Sequence, residues 1–160
     1  MNRPAFSRRP LLLGLAAVGV AFALPLRRIQ ASPPLLRVAK VTGCGCCEGW
    51  ADHLRASGFA CEVTAYDDLA PIKRRLGVPE DLESCHTATL EGYVVEGHVP
   101  AAALRRLLAE RPAIAGLSAP GMPMGSPGMP SPRPEAYNVI AFATGGRREV
   151  FMRFVGEEAA

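Results

Sequence analysis

Aromatic residues are scarce in this chain of 160 residues, at 6% of the sequence with a single tryptophan, Trp50. No basic patch with interleaved aromatics occurs, which argues against nucleic-acid binding. No internal repeat is present, so a solenoid or propeller is excluded. Acidic residues are missing from the first 31 positions, which carry five arginines. The formal net charge of +3 is therefore a property of that segment. Without it, thirteen basic residues face fifteen acidic ones, a net charge of −2. What remains is a weakly acidic chain long enough for one domain.

The N-terminal segment has the layout of an export signal. Arg3, Arg8 and Arg9 form a positive start, and Leu11 to Leu26 is a mostly apolar stretch of 16 residues. That is short of the roughly 20 residues of a membrane-spanning helix and suits a secretory leader. Ser7-Arg8-Arg9 followed by leucines is similar to a twin-arginine signal. Cleavage after Ala23 or after Ala31 fits equally well. Arg27 and Arg28 beyond the apolar stretch are unusual for a cleaved leader, so a retained membrane anchor stays open as the alternative. Either way the expected location is periplasmic or exported, with membrane contact only through the leader.

The remainder alternates strands and helices. "LLRVAKV" (Leu35–Val41) reads as a strand, "CEGWADHLRAS" as a helix ended by Gly58, and "ACEVTAYD" as a second strand. "LAPIKRRLG" is a short helix closed by Gly77. "ATLEGYVVEG" reads as two strands joined near Glu91-Gly92. "PAAALRRLLAERP" is a helix with proline at its start and Pro112 after its end. Residues 112–135 read as a loop rich in proline, glycine and methionine. Residues 136–160 form a hairpin turning at Gly145-Gly146, plus a tail. The order βαβαββα over residues 32–111 matches an α/β sandwich of thioredoxin-like type, extended by a C-terminal hairpin.

Three of the five cysteines lie in "CGCC". Cys44 and Cys47 are spaced C-x-x-C where the first strand gives way to the first helix, the place of a thioredoxin-type redox motif. Unpaired N–H groups and the partial positive charge of a helix N-terminus favour a thiolate there. Cys46 makes a third thiol that disulfide exchange does not need, but that a soft metal does. Thiolates favour Cu(I), zinc or iron–sulfur centres. In a thioredoxin-like fold, Cys85-His86 would reach the same end of the sheet.

"CGCCEGWADHL", "GVPEDLESCHTATLEGYVVEGHVPAAALRRLLAERP" and "GLSAPGMPMGSPGM" together resemble the exported metal-binding proteins of the CopG copper-resistance family. The resemblance covers Arg37 to Met129 and weakens through Phe154. It implies a thioredoxin-like fold, copper binding in the cell envelope, ligation by Cys44, Cys46, Cys47 and Cys85, and a role in copper redox handling. Cys61 is not part of that pattern and is expected to face the core.

Other residues have competing readings. His86 is a ligand or a hydrogen-bonding loop residue. His98 is expected to orient its loop by a hydrogen bond, with metal ligation as the lesser alternative, and His53 to pack or to cap a helix rather than to ligate. Trp50 is expected in the core beside the site, and Lys73, Arg74 and Arg75 on a solvated face. Met122, Met124 and Met129 are thioether ligands for Cu(I) or an apolar lid. Three functions stand: an envelope protein holding one or more Cu(I) ions, which exchanges copper with transporters or chaperones; a thiol–disulfide oxidoreductase using Cys44 and Cys47; or a domain stabilised by zinc, which accepts four thiolates readily. Metal-free protein in an oxidising compartment is expected to carry a Cys44–Cys47 disulfide.

Overall fold

The structure, a computed structural model, describes residues 32–160. Residues 1–31, the segment expected to be an export signal, lie outside the described residues. Among the described residues no helix is long and apolar enough to cross a membrane.

The chain runs β1 (Leu35–Val41), α1 (Gly45–Ala56), β2 (Ala60–Tyr66), α2 (Ala70–Leu76), a 3₁₀ turn (Glu80–Leu82), β3 (His86–Leu90), β4 (Tyr93–Gly97) and α3 (Ala101–Glu110). Then come β5 (Gly116–Ala119), β6 (Ala136–Phe142), β7 (Arg148–Val155) and β8 (Glu158–Ala159). The fold is mixed α/β, with the strands in one eight-stranded sheet ordered β2-β1-β3-β4-β5-β6-β7-β8.

Alternation along β1 buries Leu36 and Val38 while Arg37 stays exposed. This is the period-2 pattern of a half-buried strand. Those residues join Trp50 and Leu54 of α1 and Ala103, Leu104 and Leu107 of α3 in the main core. The 3.6-residue period of the helices brings their apolar residues onto one face. The same core runs on under the hairpin through Val139, Ala141 and Phe154.

Two expectations need correction. Residues 112–135 are not all loop: Gly116–Ala119 forms β5, buried throughout and paired parallel to β4. Four residues that begin with glycine and run into Pro120 carry too little periodicity to be seen as a strand, and pairing on both sides supplies what propensity does not. Lys73 is not on a solvated face either. It is 4% exposed, and its ammonium pairs with the carboxylate of Glu96, itself fully buried. A Lys-Arg-Arg run is ordinarily solvent-facing, because a buried lysine needs a partner. The partner here lies 23 residues away on β4.

Strand directions bring the chemistry to one end of the sheet. β3 runs antiparallel to β1 with Lys40 opposite His86, so β3 begins where β1 ends. β4 runs antiparallel to β3 and returns to that end, with Glu96 opposite Thr87. β5 is parallel to β4, with Ala119 opposite Gly97. The turn into α1, residues 84–86, residues 97–99 and the loop after β5 therefore all meet at one edge.

Candidate metal centre

Cys44 is the N-cap of α1, in extended conformation and without a side-chain cap. Cys46 and Cys47 follow in its first turn, where helix N–H groups lack intrahelical partners. Cys44 and Cys47 are joined as a disulfide, with Cα atoms 5.5 Å apart. Cys46 and Cys85 are free thiols, both half-buried. The Cys46 sulfur lies 3.4 Å from that of Cys44 and 3.8 Å from that of Cys85. The Cys85 sulfur lies 3.5 Å from that of Cys47. The four sulfurs all lie within 4.8 Å of one another.

Two imidazoles complete the cluster. Cys85 Sγ is 3.4 Å from His86 Nδ1 and 3.2 Å from His98 Nε2. Cys85, His86 and His98 form a second close group of ligand-capable atoms. His98 Nδ1 is 2.7 Å from the Pro127 carbonyl, which accepts only, so Nδ1 carries the proton and Nε2 presents a lone pair towards Cys85. His98 thus orients its loop and faces the sulfurs as well. The sequence reading of "EGHVP" preferred the first role and held the second as the alternative. The sequence signal for the second is Gly97, which takes a left-handed φ of 71° where a Cβ would collide with Ser84 and the Ala119 carbonyl.

Burial sets the protonation states. It pushes the Cys85 thiol up to about 12, and the neighbouring Cys46 sulfur adds to the rise. Burial holds His86 down to about 3, helped by nearby His98 and Lys73. Burial lowers His98 as well. The resting centre therefore holds a thiol at Cys85 beside two neutral imidazoles. His86 Nε2 is buried with no hydrogen-bond partner. The Gly97 carbonyl acts on the ring but completes no hydrogen bond to that atom. Neutral imidazole nitrogens and thiolates are the donor set that soft and borderline metals take. Four sulfurs with two neutral imidazoles therefore fit copper.

A buried polar network anchors the Cys85 segment. Glu96 accepts from the Ser84 N–H at 2.6 Å and from the Thr87 hydroxyl, and pairs with Lys73, which also donates to Thr87 at 2.9 Å. One carboxylate thus grips the chain on both sides of Cys85-His86. Lys73 and Glu96 lie outside the predicted site because no short motif joins them.

The methionine loop is strapped over the centre by backbone, not by sulfur. Gly128 has a φ of 85°, and a Cβ there would overlap the Cys46 carbonyl and the Trp50 amide. Ser84 donates to the Gly121 carbonyl. Met122 and Met124 are exposed, at 53% and 39%, and Met129 is half-buried. Trp50 is fully buried, donates to the Val99 carbonyl at 2.9 Å and packs its ring 4.3 Å from that of His86. Cys61 is half-buried against the core from β2. His53 accepts the Ala101 N–H through Nε2 at 3.3 Å and so caps α3.

Fold and centre together define a class, a mixed α/β protein with a thiol and imidazole cluster whose donor set suits a soft metal. Residues 82–129 match the family described as a protein of unknown function, DUF411. Two solved structures are similar. "Copper resistance protein CopG, Form 1" is 42% identical, covering 78% of this chain and 99% of that one at a TM-score of 0.73. "Form 2" is 41% identical, covering 76% and 98%, also at 0.73. No curated protein matches the chain. The chain belongs to the CopG copper-resistance family.

Proposed function

We propose that this is an exported protein of the cell envelope that binds Cu(I) in copper resistance. Cys44, Cys46, Cys47 and Cys85, once reduced, are the thiolate ligands. His98, and His86 after a small ring movement, supply nitrogen. The convergence of four sulfurs from two distant segments carries this reading. Four thiolates exceed what one two- or three-coordinate Cu(I) requires, so the reduced centre takes more than one ion. The thioredoxin-like assignment of β1 to α3 is supported by the βαβαββα order and by β1 lying between parallel β2 and antiparallel β3.

The disulfide supports redox coupling. Oxidation of the Cys44 and Cys47 thiols to a disulfide releases two electrons and two protons, which reduces two Cu(II) to two Cu(I). The exposed thioethers of Met122 and Met124, with Met129, assist capture, because they are soft, neutral ligands. Copper then passes to or from envelope transporters or chaperones.

Titration of the reduced protein against a Cu(I) chelator tests the reading. More than one copper per chain is expected, lost on joint Cys46→Ser and Cys85→Ser replacement. A plateau at one ion, or binding indifferent to those changes, would reject the multi-ion centre. A second reading, a metal-independent thiol–disulfide oxidoreductase, is favoured by the Cys44–Cys47 disulfide at a helix N-terminus. Metal-free protein that turns over thiol substrates and binds no copper would establish it.

A further inference from the structure

The apolar side chains left in solvent are unevenly placed. Six large ones are exposed among the described residues: Val41, Tyr66, Met122, Met124, Val150 and Val155. All but Val150 lie at the end of the sheet that carries the sulfurs. Val41 and Tyr66 close the parallel strands β1 and β2 side by side. Met122 and Met124 follow β5, and Val155 closes β7 opposite the first residue of β6. Apolar side chains scattered singly need no explanation, but a group gathered round one site marks a surface that meets a partner.

Hydrogen bonds tie two parts of this group to the sulfurs. The Cys44 N–H donates to the Val41 carbonyl at 3.1 Å, so Val41 is one tight turn from Cys44. The Gly121 N–H donates to the Glu83 carbonyl at 3.3 Å and Ser84 donates to the Gly121 carbonyl, which places Met122 next to the segment of Cys85. A partner seated on Val41, Tyr66, Met122 and Met124 therefore rests against the segments that carry Cys44 and Cys85.

Carboxylates accompany these side chains. Asp67 follows Tyr66 and accepts the Thr42 hydroxyl at 3.0 Å. Glu83 is joined through its carbonyl to the residue before Met122, and the Glu135 carboxylate accepts the Met124 N–H at 3.1 Å. Among the described residues none of these three, nor Asp68, forms an ion pair with a basic side chain. In segments 40–48, 66–68, 83–85 and 120–135 the basic residues are Lys40, which is buried and paired with Glu48, and Arg133, which is exposed. Such a rim attracts basic surfaces and repels acidic ones. Membrane surfaces and nucleic acids are anionic and suit it poorly. A second copy on the same face would set carboxylate against carboxylate.

We propose that this end of the sheet docks a partner protein whose own face is an apolar patch ringed by lysine or arginine. The apolar side chains supply the contact, as the core of an interface does, and the carboxylates supply steering and orientation from its rim. The complex therefore forms fast and weakens with salt. That the docked partner gives or takes copper rests on the copper reading; the docking itself does not.

The probe is a short peptide of lysine, methionine and leucine, added to the metal-free full chain and followed through the backbone amide shifts of the protein. Shifts should gather at Val41, Thr42, Tyr66, Asp67, Met122 and Met124, and Kd should rise about tenfold as salt is raised from about 20 to about 300 mM. Joint Asp67→Asn and Glu135→Gln replacement should weaken binding about fivefold, and Tyr66→Ser by a similar factor. Glu149→Gln and Val150→Ser, on the part of β7 opposite Ile140 and Ala141, should leave it unchanged. No shift, or shifts spread over the whole surface, overturns the proposal. Equal binding of a peptide with glutamate in place of lysine denies the charge and overturns it, and equal binding of one with serine in place of methionine and leucine denies the apolar contact and does the same. Anionic lipid vesicles, a second copy, or residues 1–31 of the same chain found on these side chains would overturn it as well. Copper binding without docking would reject this proposal alone. Docking by a chain that takes up no Cu(I) in the chelator titration would reject the copper reading alone.

Discussion

At the residue scale, the pairing of Lys73 with Glu96 shows how one buried charge commits its neighbours. Glu96 is wholly buried and accepts from Ser84 and Thr87 while paired with Lys73. Removing one partner of such a pair leaves the other uncompensated, at a cost of about 3–5 kcal/mol. Lys73→Met should therefore lower stability by about that amount in urea unfolding of the metal-free protein. Arg74→Met and Arg75→Met should stay within about 0.5 kcal/mol, as surface substitutions do. His53 gives a pH signature. Burial lowers its pKa below the ordinary 6.5, against the opposing pull of Glu157, and the neutral ring caps α3 through Nε2. The unfolded chain then binds the proton more readily than the folded one. His53's contribution is complete above about 6.5 and is lost as pH falls through the lowered folded value. Stability measured from pH 7.5 to 5 should fall less steeply in His53→Gln than in the parent. An identical slope would rule His53 out as a contributor.

At the element scale, the loop after β5 is held by the fit of its backbone against α1. Gly128 occupies a left-handed conformation in a space closed by the Cys46 carbonyl and the Trp50 amide. Gly128→Ala must strain the backbone or lift the strap, at about 1–3 kcal/mol. Lifting moves the Pro127 carbonyl away from His98 Nδ1. Faster proteolysis between residues 120 and 130 in the variant is the expected readout, and an unchanged rate would show that the loop is held elsewhere. The methionines pose a separate question on the same element. Replacing Met122, Met124 and Met129 together with leucine keeps volume and apolarity, so a loop that only packs survives with little loss. Weaker or shorter-lived Cu(I) binding with unchanged Zn(II) affinity is expected if the thioethers serve as soft ligands. Equal Cu(I) affinity and release in a folded mutant would reduce the loop to packing.

At the scale of the whole molecule, one sheet edge gathers four separate chain segments. β1, β3, β4 and β5 each place a terminus there, so the centre depends on strand directions across half the sheet. Bound Cu(I) should shield the thiols that oxidation otherwise consumes. Alkylation of the reduced protein should be slowed at Cys44, Cys46, Cys47 and Cys85 by Cu(I), while Cys61 on β2 reacts at the same rate with and without metal. Equal labelling of all five in both states would contradict ligation. Cleavage of the proposed leader should leave a chain that begins after Ala23 or Ala31, read directly from its intact mass; recovery of the full chain in the membrane fraction would favour the anchor, and recovery of the full chain in the cytoplasm would reject export.

The sequence by itself determined the elements whose signals are local. β1 and β2 were legible from apolar content and alternation, α3 from its proline start, and the hairpin from Gly145-Gly146 between two strand-like runs. The C-x-C-C and S-C-H-T motifs named the thiols, because soft-metal chemistry is a property of residue type and close spacing. β5 was hidden because four residues that begin with glycine and stop at proline have no period of their own. Lys73 was misplaced because its partner is on another strand. Loop orientation and ligation by His98 stood as alternatives, and that one ring faces both partners was out of reach because a tautomer is set by what the other ring nitrogen touches, here Pro127. Tertiary structure alone decided which distant groups meet. Antiparallel return of β3 and β4 brings Cys85, His86 and His98 to the start of α1, and contacts between segments tens of residues apart leave no periodic trace in the chain.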